Sequence, residues 1–499
     1  MATYSIGYDI GSSSVKAALV DTSTGKVLAR VQAPQEEMGM QAPQPGWAEQ
    51  DPELWYRYVI ACTQDILART QVQAQSIRSI GIGYQMHGLV LVDGAGEVVR
   101  PAIIWCDGRA VETGARAFAG IGEDRCLSHC LNSPGNFTAA KLKWVADHEP
   151  DNYARTAHAM LPGDYIALRL TGNATTTITG LSEGVMWDFK RNELAGLVLD
   201  EMALDTNKLC TRVPAVGVQG KVSEQGAKET GLAAGTIVGY RAGDQPNNAI
   251  SLNVTQPGEV AATAGTSGVV YGVTDKLAFD PAQRVNSFAH VNHDSGQNRI
   301  GILLCINGTG IAHRWIRQQV CGEDTTYDQM EELAASVPVG SDGLYFLPFG
   351  NGPERMLQNK DIGARLGGLN FNRHSRAHLV RAGIEGVAFA LVYGMRIMGE
   401  LGVDLSTIRV GNDNMFQSAV FAETVATLTG ACIEVHNTNG AVGAALAASV
   451  AAGGSEDLAA AVGRQEVVAS ITPDEARRED MQRTYLRWTE ALERTLAEV

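Results

Sequence analysis

Ser5-Ile-Gly-Tyr-Asp-Ile-Gly-Ser-Ser-Ser-Val-Lys-Ala-Ala-Leu-Val20 runs apolar residues into a glycine-serine turn and out again. Glu259-Val-Ala-Ala-Thr-Ala-Gly-Thr-Ser-Gly-Val-Val-Tyr-Gly-Val273 does the same around Gly-Thr-Ser-Gly. Each stretch reads as strand, tight turn, strand, and hence as a β-hairpin. Glycine lets another group approach the backbone N–H groups at the tip, and the small hydroxyls add donors. Such tips suit phosphate oxygens. Two of them, from separate halves of one chain, could grip a nucleotide across a cleft, which points to phosphoryl transfer. The second hairpin restarts the pattern of the first and sets a domain boundary near residues 245–258.

At 499 residues the chain is too long for one ordinary core, so two or three domains are expected. A net charge of −15 argues against a general nucleic-acid or anionic-membrane binder, because both need a basic face. It leaves room for ATP, since local donors and a metal outweigh a distant net charge. Among the eight cysteines only Cys126 and Cys130 are close, and no CxxC or Cys/His set completes a zinc site. The chain opens directly on a strand pattern without a signal-peptide pattern. Its apolar runs read as too short or too broken by glycine to cross a bilayer. Reduced cysteines fit the cytoplasm.

Asp51-Pro52-Glu53 opens a helix that runs to about Thr70, with Asp51 as N-cap and Pro52 at the first helical position. Ile77 to Tyr84 has the composition of a buried strand and delivers Gln85-Met86-His87-Gly88 to its carboxyl end, where α/β proteins place their sites. Thr236 to Tyr240 reads as a short strand running into Arg241-Ala-Gly-Asp-Gln-Pro246. Further helices are expected at Gly308–Gln319, Tyr327–Ser336, Arg376–Leu401, Ser418–Thr429 and Gly440–Ala452. Residues 453–465 read as loose, and 473–499 as an amphipathic helix.

Several side chains carry both an ordinary and a chemical reading. Asp9 beside a phosphate turn would repel phosphates unless a cation such as Mg²⁺ lay between them; equally, Asp and Gly are common in plain hairpin turns. Lys16 could reach a phosphate or simply be solvated. Asp244 is a natural helix N-cap, yet at a strand end it is also placed to orient a hydroxyl and take its proton. His87 follows a wholly apolar strand and could hydrogen-bond a polyol, although a lone histidine is more often structural. Trp105 could stack on a sugar or fill the core, the core being the commoner fate. Gly81-x-Gly83 does not continue as GxGxxG, and no GxxxxGK[ST] occurs, so dinucleotide-fold and P-loop readings fail. Gly308 and Gly310 read as points of close backbone approach, to a nucleotide or to another helix.

These residues together resemble the FGGY carbohydrate kinases over nearly the whole length. The resemblance is carried by Gly7-Tyr-Asp-Ile-Gly-Ser-Ser-Ser-Val-Lys16, Gly46-Trp-Ala-Glu-Gln-Asp-Pro52, Gln85-Met-His-Gly88, Arg100-Pro-Ala-Ile-Ile-Trp-Cys-Asp-Gly-Arg109 and Phe137-Thr-Ala-Ala-Lys-Leu-Lys-Trp144. Leu161-Pro-Gly-Asp-Tyr165, Gly243-Asp244 and Gly265-Thr-Ser-Gly268 follow in order. The Gln-Met-His-Gly run is the most specific to the xylulokinase branch. The resemblance implies an α/β protein of two actin-like (ribonuclease H-like) domains flanking a deep cleft. Residues 1–245 would form the sugar side, 246–470 the ATP side, and 471–499 a C-terminal helix. It implies ATP-dependent phosphorylation of D-xylulose at its 5-hydroxyl, with a second ketose or a polyol as the near alternative and an actin-like chaperone or filament protein as the distant one. Asp244 would be the base. Met86, His87, Gln245 and Trp105 would meet the sugar, and Asp9 would organise Mg²⁺. Ser12, Ser13, Lys16, Thr266, Gly310, Gly411, Asn412 and Asn414 would meet ATP. A homodimer is compatible with the family, and neither nucleic acid nor membrane is expected as a partner. Two departures stand out: Asp244-Gln245 replaces the Asp-Asn of many relatives, and Gly411-Asn-Asp-Asn-Met-Phe-Gln-Ser418 replaces their glycine-rich adenine loop.

Overall fold

Both quoted stretches fold as antiparallel hairpins in the computed structural model of the chain, which describes residues 3–412 and 414–499. β1 (Tyr4–Ile10) pairs with β2 (Val15–Asp21), and β3 (Val27–Ala33) extends beyond β2. β4 (Ile77–Tyr84) runs parallel to β1 on its other side. β5 (Val216–Lys221) and β6 (Ile237–Gly243) complete a six-stranded sheet in the order β5-β6-β4-β1-β2-β3. β4 is buried along nearly its whole length, which is why it reads as a continuous apolar run rather than an alternating one.

The second sheet repeats this plan. It contains β7 (Glu259–Ala264), β8 (Gly268–Thr274), β9 (Asn286–Ala289), β10 (Ile300–Ile306), β11 (Thr407–Gly411), β12 (Cys432–His436) and β13 (Val467–Ile471), in the order β9-β10-β8-β7-β11-β12-β13. Without the outer edges the two orders become β3-β2-β1-β4-β6 and β10-β8-β7-β11-β12. In each, the second strand is antiparallel to both neighbours, and the fourth is parallel to the first. This is the actin-like, ribonuclease H-like topology, present twice.

Helices fasten the two sheets together. α1 (Pro52–Thr70) covers β2 and β3, and its cap is the expected one: the Asp51 side chain accepts from the Glu53 N–H. α2 (Asp244–Ser251) leaves β6 and crosses to β7 and β8. α3 (Arg376–Glu400) runs through the second core. It is long and apolar enough to cross a membrane, contrary to the expectation from the sequence, but 83% of its apolar window is buried inside the protein. α4 (Gly440–Ala451) lies between β12 and β13 of the second sheet in the chain yet packs on the first. Close approach demands glycine on the strands beneath it: a Cβ at Gly7 would lie 2.0 Å from the Ala441 carbonyl oxygen, and one at Gly81 2.0 Å from that of Ala444. α5 (Arg478–Ala497) closes the second core with Met481, Tyr485, Trp488 and Leu492. The halves are also stitched at β9, where Asn132 Oδ1 accepts from the Ser287 N–H at 3.1 Å and Ser182 Oγ accepts from the Ala289 N–H at 2.7 Å.

Candidate active site

The parallel strands β1, β4 and β6 end at one edge, with Asp9 opposite Gly83 and Gly83 opposite Ala242. Asp9, the Gln85-Met86-His87 turn and Asp244 therefore emerge together at the carboxyl edge, the usual site position in such sheets. Asp244 is the first residue of α2 and Gly243 is its N-cap, so the cap reading of Asp244 is corrected. Asp9 faces the start of α4: a Cβ at Gly440 would lie 2.8 Å from Asp9 Oδ2 and 3.0 Å from Asn247 Nδ2. Asn247 also donates to the Gly440 carbonyl at 3.0 Å, tying α2 to α4. Burial raises the Asp9 carboxyl above the usual carboxylate range, and Lys16, its cross-strand partner, opposes the shift. Burial and then the negative charge of Asp9 push Asp244 up to about 7.

His87 takes φ +62°, and its Nδ1 lies 2.9 Å from the Glu183 carbonyl oxygen. A carbonyl only accepts, so Nδ1 carries the proton and Nε2 is left as an acceptor. Burial, with help from nearby Lys141, lowers His87 to about 3 and keeps the ring neutral. Its ring packs at 4.5 Å from Phe137 and 5.3 Å from Phe288, the latter contributed by the second sheet. Met86 is buried beside it, against Gly243: a Cβ there would lie 2.4 Å from Met86 Cγ and 2.5 Å from Glu183 Oε2. Burial drives the Glu183 carboxyl well above its ordinary value. Trp105 is 53% exposed, which overturns the core reading, and its Nε1 donates to Ser12 Oγ at 3.4 Å. The first tip is held from behind by Gln50, whose Nε2 donates to the Ser12 carbonyl at 2.7 Å, and by the Met38 N–H on the Ser13 carbonyl at 2.8 Å.

One cavity adjoins this edge, and a second lies on the side of the second sheet. The first, of about 200 Å³, is lined by Asp9, Lys16, Gln245, Gly411, Asn414 and Gly440 among others. The other, of about 330 Å³, is lined by Gly265, Thr266, Gly310, Tyr327, Glu331 and Asn414 among others. Asn414 lines both. Gly310 serves the second tip: its N–H donates to the Gly265 carbonyl at 2.9 Å, and a Cβ there would lie 2.2 Å from that oxygen. Gly308 instead meets the Pro348 carbonyl. Asn412 lines neither cavity; its N–H donates to His436 and its carbonyl accepts from Gln417. The adjoining Asp413 lies outside the described residues. Lys141, Glu183, Asn247 and Phe288 were not singled out in the sequence. Lys141 sits within the Phe137–Trp144 motif, whereas Glu183 carried no local signal.

A cavity lined by both actin-like sheets, with Asp9 and Lys16 on one wall and Thr263 and Gly411 on the other, fits a phosphotransferase of the actin-like group. The chain belongs to the FGGY family of carbohydrate kinases: the N-terminal domain of that family matches residues 4–251 and the C-terminal domain residues 260–452. As a kinase of this family it uses ATP. It is 28% identical to a xylulose kinase of Bacillus subtilis over 91% of this chain and 89% of the relative. It is also 28% identical to an L-xylulose/3-keto-L-gulonate kinase of Escherichia coli, over 98% of this chain and 96% of that one. Among solved structures, a xylulose kinase from Rhodospirillum rubrum superposes with a TM-score of 0.89 at 27% identity, covering 99% of both chains.

Proposed function

We propose that the enzyme transfers the γ-phosphoryl group of ATP to the 5-hydroxyl of D-xylulose, with Asp244 as the base. The observation that carries this reading is the place of Asp244: it opens α2 directly after Gly243, which pairs with Tyr84 at the end of the strand that delivers Met86 and His87, and burial raises its carboxyl to about 7. A base poised near the working pH combines the right protonation state with proton-accepting strength. Similarity to xylulose kinases supports the choice of sugar.

Residues 1–245 supply the sugar side in this reading. His87 Nε2 accepts from a substrate hydroxyl, Met86 and Trp105 flank the carbon chain, and Gln245 reaches the transferring group. Residues 246–470 supply the ATP side, and 471–499 close its core. Thr266 faces Ser12 and Ser13 across the phosphates, with Lys16 adding charge. Gly310 supports the second tip, Gly411 and Asn414 border the nucleoside, and Asn412 stays behind them. Asp244 takes the hydroxyl proton as the oxygen attacks phosphorus. Closure of the halves excludes water and limits wasteful ATP hydrolysis.

The residues at the joint suit Mg²⁺. Asp9 and Asp244 are two partly buried carboxylates whose mutual repulsion Lys16 opposes only in part. No group of three metal-ligating side chains forms among the described residues. Mg²⁺ asks for no more, since it keeps several waters and takes one or two carboxylates plus phosphate oxygens. Asp9 would hold it, and there it would neutralise charge on the phosphates.

An ADP-release assay with Mg-ATP tests the reading across D-xylulose, L-xylulose, 3-keto-L-gulonate, ribulose, a hexulose and glycerol. D-xylulose is expected to give the highest kcat/KM. A higher value for another acceptor reassigns the substrate, and ATP turnover indifferent to every acceptor sinks the kinase reading in favour of an ATP-gated chaperone or filament protein.

A further inference from the structure

The turn that carries His87 is braced by a lysine that the reaction does not consume. Lys141 lies on the helix Thr138–His148 and has no exposed surface. Its Nζ donates to the His87 carbonyl at 2.8 Å. From the start of the same helix, Thr138 Oγ1 donates to the Gly88 carbonyl at 3.4 Å. The backbone they grip is left-handed at His87, a conformation that costs energy for a side-chain-bearing residue and persists only where surroundings impose it. On the other side of the ring, the Glu183 carbonyl holds Nδ1. Burying an ammonium is expensive, and burial pulls Lys141 down to about 7, with Asp107, Cys106 and Glu183 acting in the opposite direction and Arg109 adding to the fall. An apolar residue of the same length would fill the space at lower cost. The fold by itself therefore gives no reason for a lysine here; the geometry of the turn does.

We propose that Lys141 is a positioning residue for the acceptor sugar: its bond to the His87 carbonyl, opposed by the Glu183 carbonyl on Nδ1, fixes the left-handed turn so that Nε2 is presented as a hydrogen-bond acceptor to a substrate hydroxyl. This rests on the placing of Met86 and His87 at the sugar. It also predicts what the pocket selects. An acceptor with a hydroxyl at that point is held, and an analogue lacking it leaves a buried ring nitrogen unpaired, which is a strong basis for rejection.

The test is Lys141→Met, assayed with Mg-ATP and the acceptor on which the wild-type enzyme has its highest kcat/KM. The acceptor KM is expected to rise about tenfold or more, the loss of a charge-assisted hydrogen bond. The KM for ATP and the acceptor-independent ATP hydrolysis should stay within about twofold, since ATP binds elsewhere. Lys141→Gln, which keeps a donor, should recover part of the acceptor affinity, and it serves alone if the methionine variant does not fold. An unchanged acceptor KM, or acceptor and ATP constants that rise together, overturns the role of Lys141. A wild-type enzyme without activity on any sugar or polyol overturns the sugar-site assignment beneath it, so the two failures are distinguishable.

Discussion

Aligned on Gly11 and Gly265, the first hairpin has Asp9 where the second has Thr263, and Ser12 where the second has Thr266. The helices that follow the two fifth strands differ in the same way. α2 begins with Asp244, whereas α4 is capped by Asn439, whose Oδ1 accepts from the Val442 N–H at 3.0 Å. Two copies of one strand plan thus present carboxylates at the first sheet's edge and neutral polar groups at the matching points of the second. The topology decides where side chains converge, and the residues at equivalent positions decide what they do there. A hydroxyl donates to phosphate oxygens without repelling them. A carboxylate is useful only where a proton or a cation has to be held, and in this molecule that need falls on one side.

The comparison can be broken first at the helices that the two halves exchange. Gly81→Val puts a side chain where Ala444 O already sits 2.0 Å from an ideal Cβ. It should cost more than about 4 kcal/mol or prevent folding, as measured by urea unfolding. A stable variant would mean that α4 is not firmly seated on the first sheet.

The carboxylates come next. Asp244→Ala should cut kcat by about 10² or more while leaving the KM for ATP nearly unchanged. Near-normal turnover in the folded variant removes Asp244 from the base role. Ionisation of the same residue should be visible in stability. An unfolded aspartate titrates near 3.9, whereas burial and Asp9 place the folded one at about 7. Between these values the unfolded chain releases a proton that the folded chain retains, so stability falls as pH rises, and the loss is complete once the folded group has ionised. Asp244→Asn is free of this penalty. Without metal or nucleotide, its Tm should exceed that of the wild type by a few degrees at about pH 8, and the gap should close toward about pH 4. A gap that widens on acidification contradicts the raised titration.

The smallest effects lie at the two tips. Ser12→Ala and Thr266→Ala each remove one hydroxyl and should raise the KM for ATP by about two- to tenfold. Equal losses would mean that both turns hold phosphate alike. A loss confined to Thr266 would leave the first tip to Trp105, which already bonds Ser12.

Both hairpins, α1, the buried strand β4, α3 and α4 were legible because each carries a strong local pattern: alternation, a cap, or a long apolar run. The edge strands β5, β9 and β13 were not. β13, Val-Val-Ala-Ser-Ile, is largely exposed and falls in the gap between the loose stretch 453–465 and the helix 473–499, where the sequence suggests no element, and β5, Val-Gly-Val-Gln-Gly-Lys, is broken by glycines. Edge strands owe their pairing to a neighbour supplied from elsewhere in the chain, so their own residues announce little. The expected helix Gly308–Gln319 begins at Gly310, because residues 308 and 309 are spent on contacts with Pro348 and the second tip, and it widens into a π-turn at Ile316–Cys321. At the joint, Asp9, His87 and Asp244 could be picked out because they end strands. Glu183 could not, because its meeting with Gly243 and Met86 depends wholly on tertiary packing. Trp105 misled in the opposite sense, since its apolar flanks Ile103 and Ile104 are buried while it is not.

The placing of α4 bears on how the polypeptide is made. Every strand of the first sheet has been synthesised once Gly243 leaves the ribosome, but the layer that covers Gly7 and Gly81 is not translated until Ala451. The nascent amino-terminal half must therefore wait, with one face bare, for a piece of its sibling. A chain truncated before residue 440 is expected to be a client of chaperones rather than a stable fragment, however complete its own strands are.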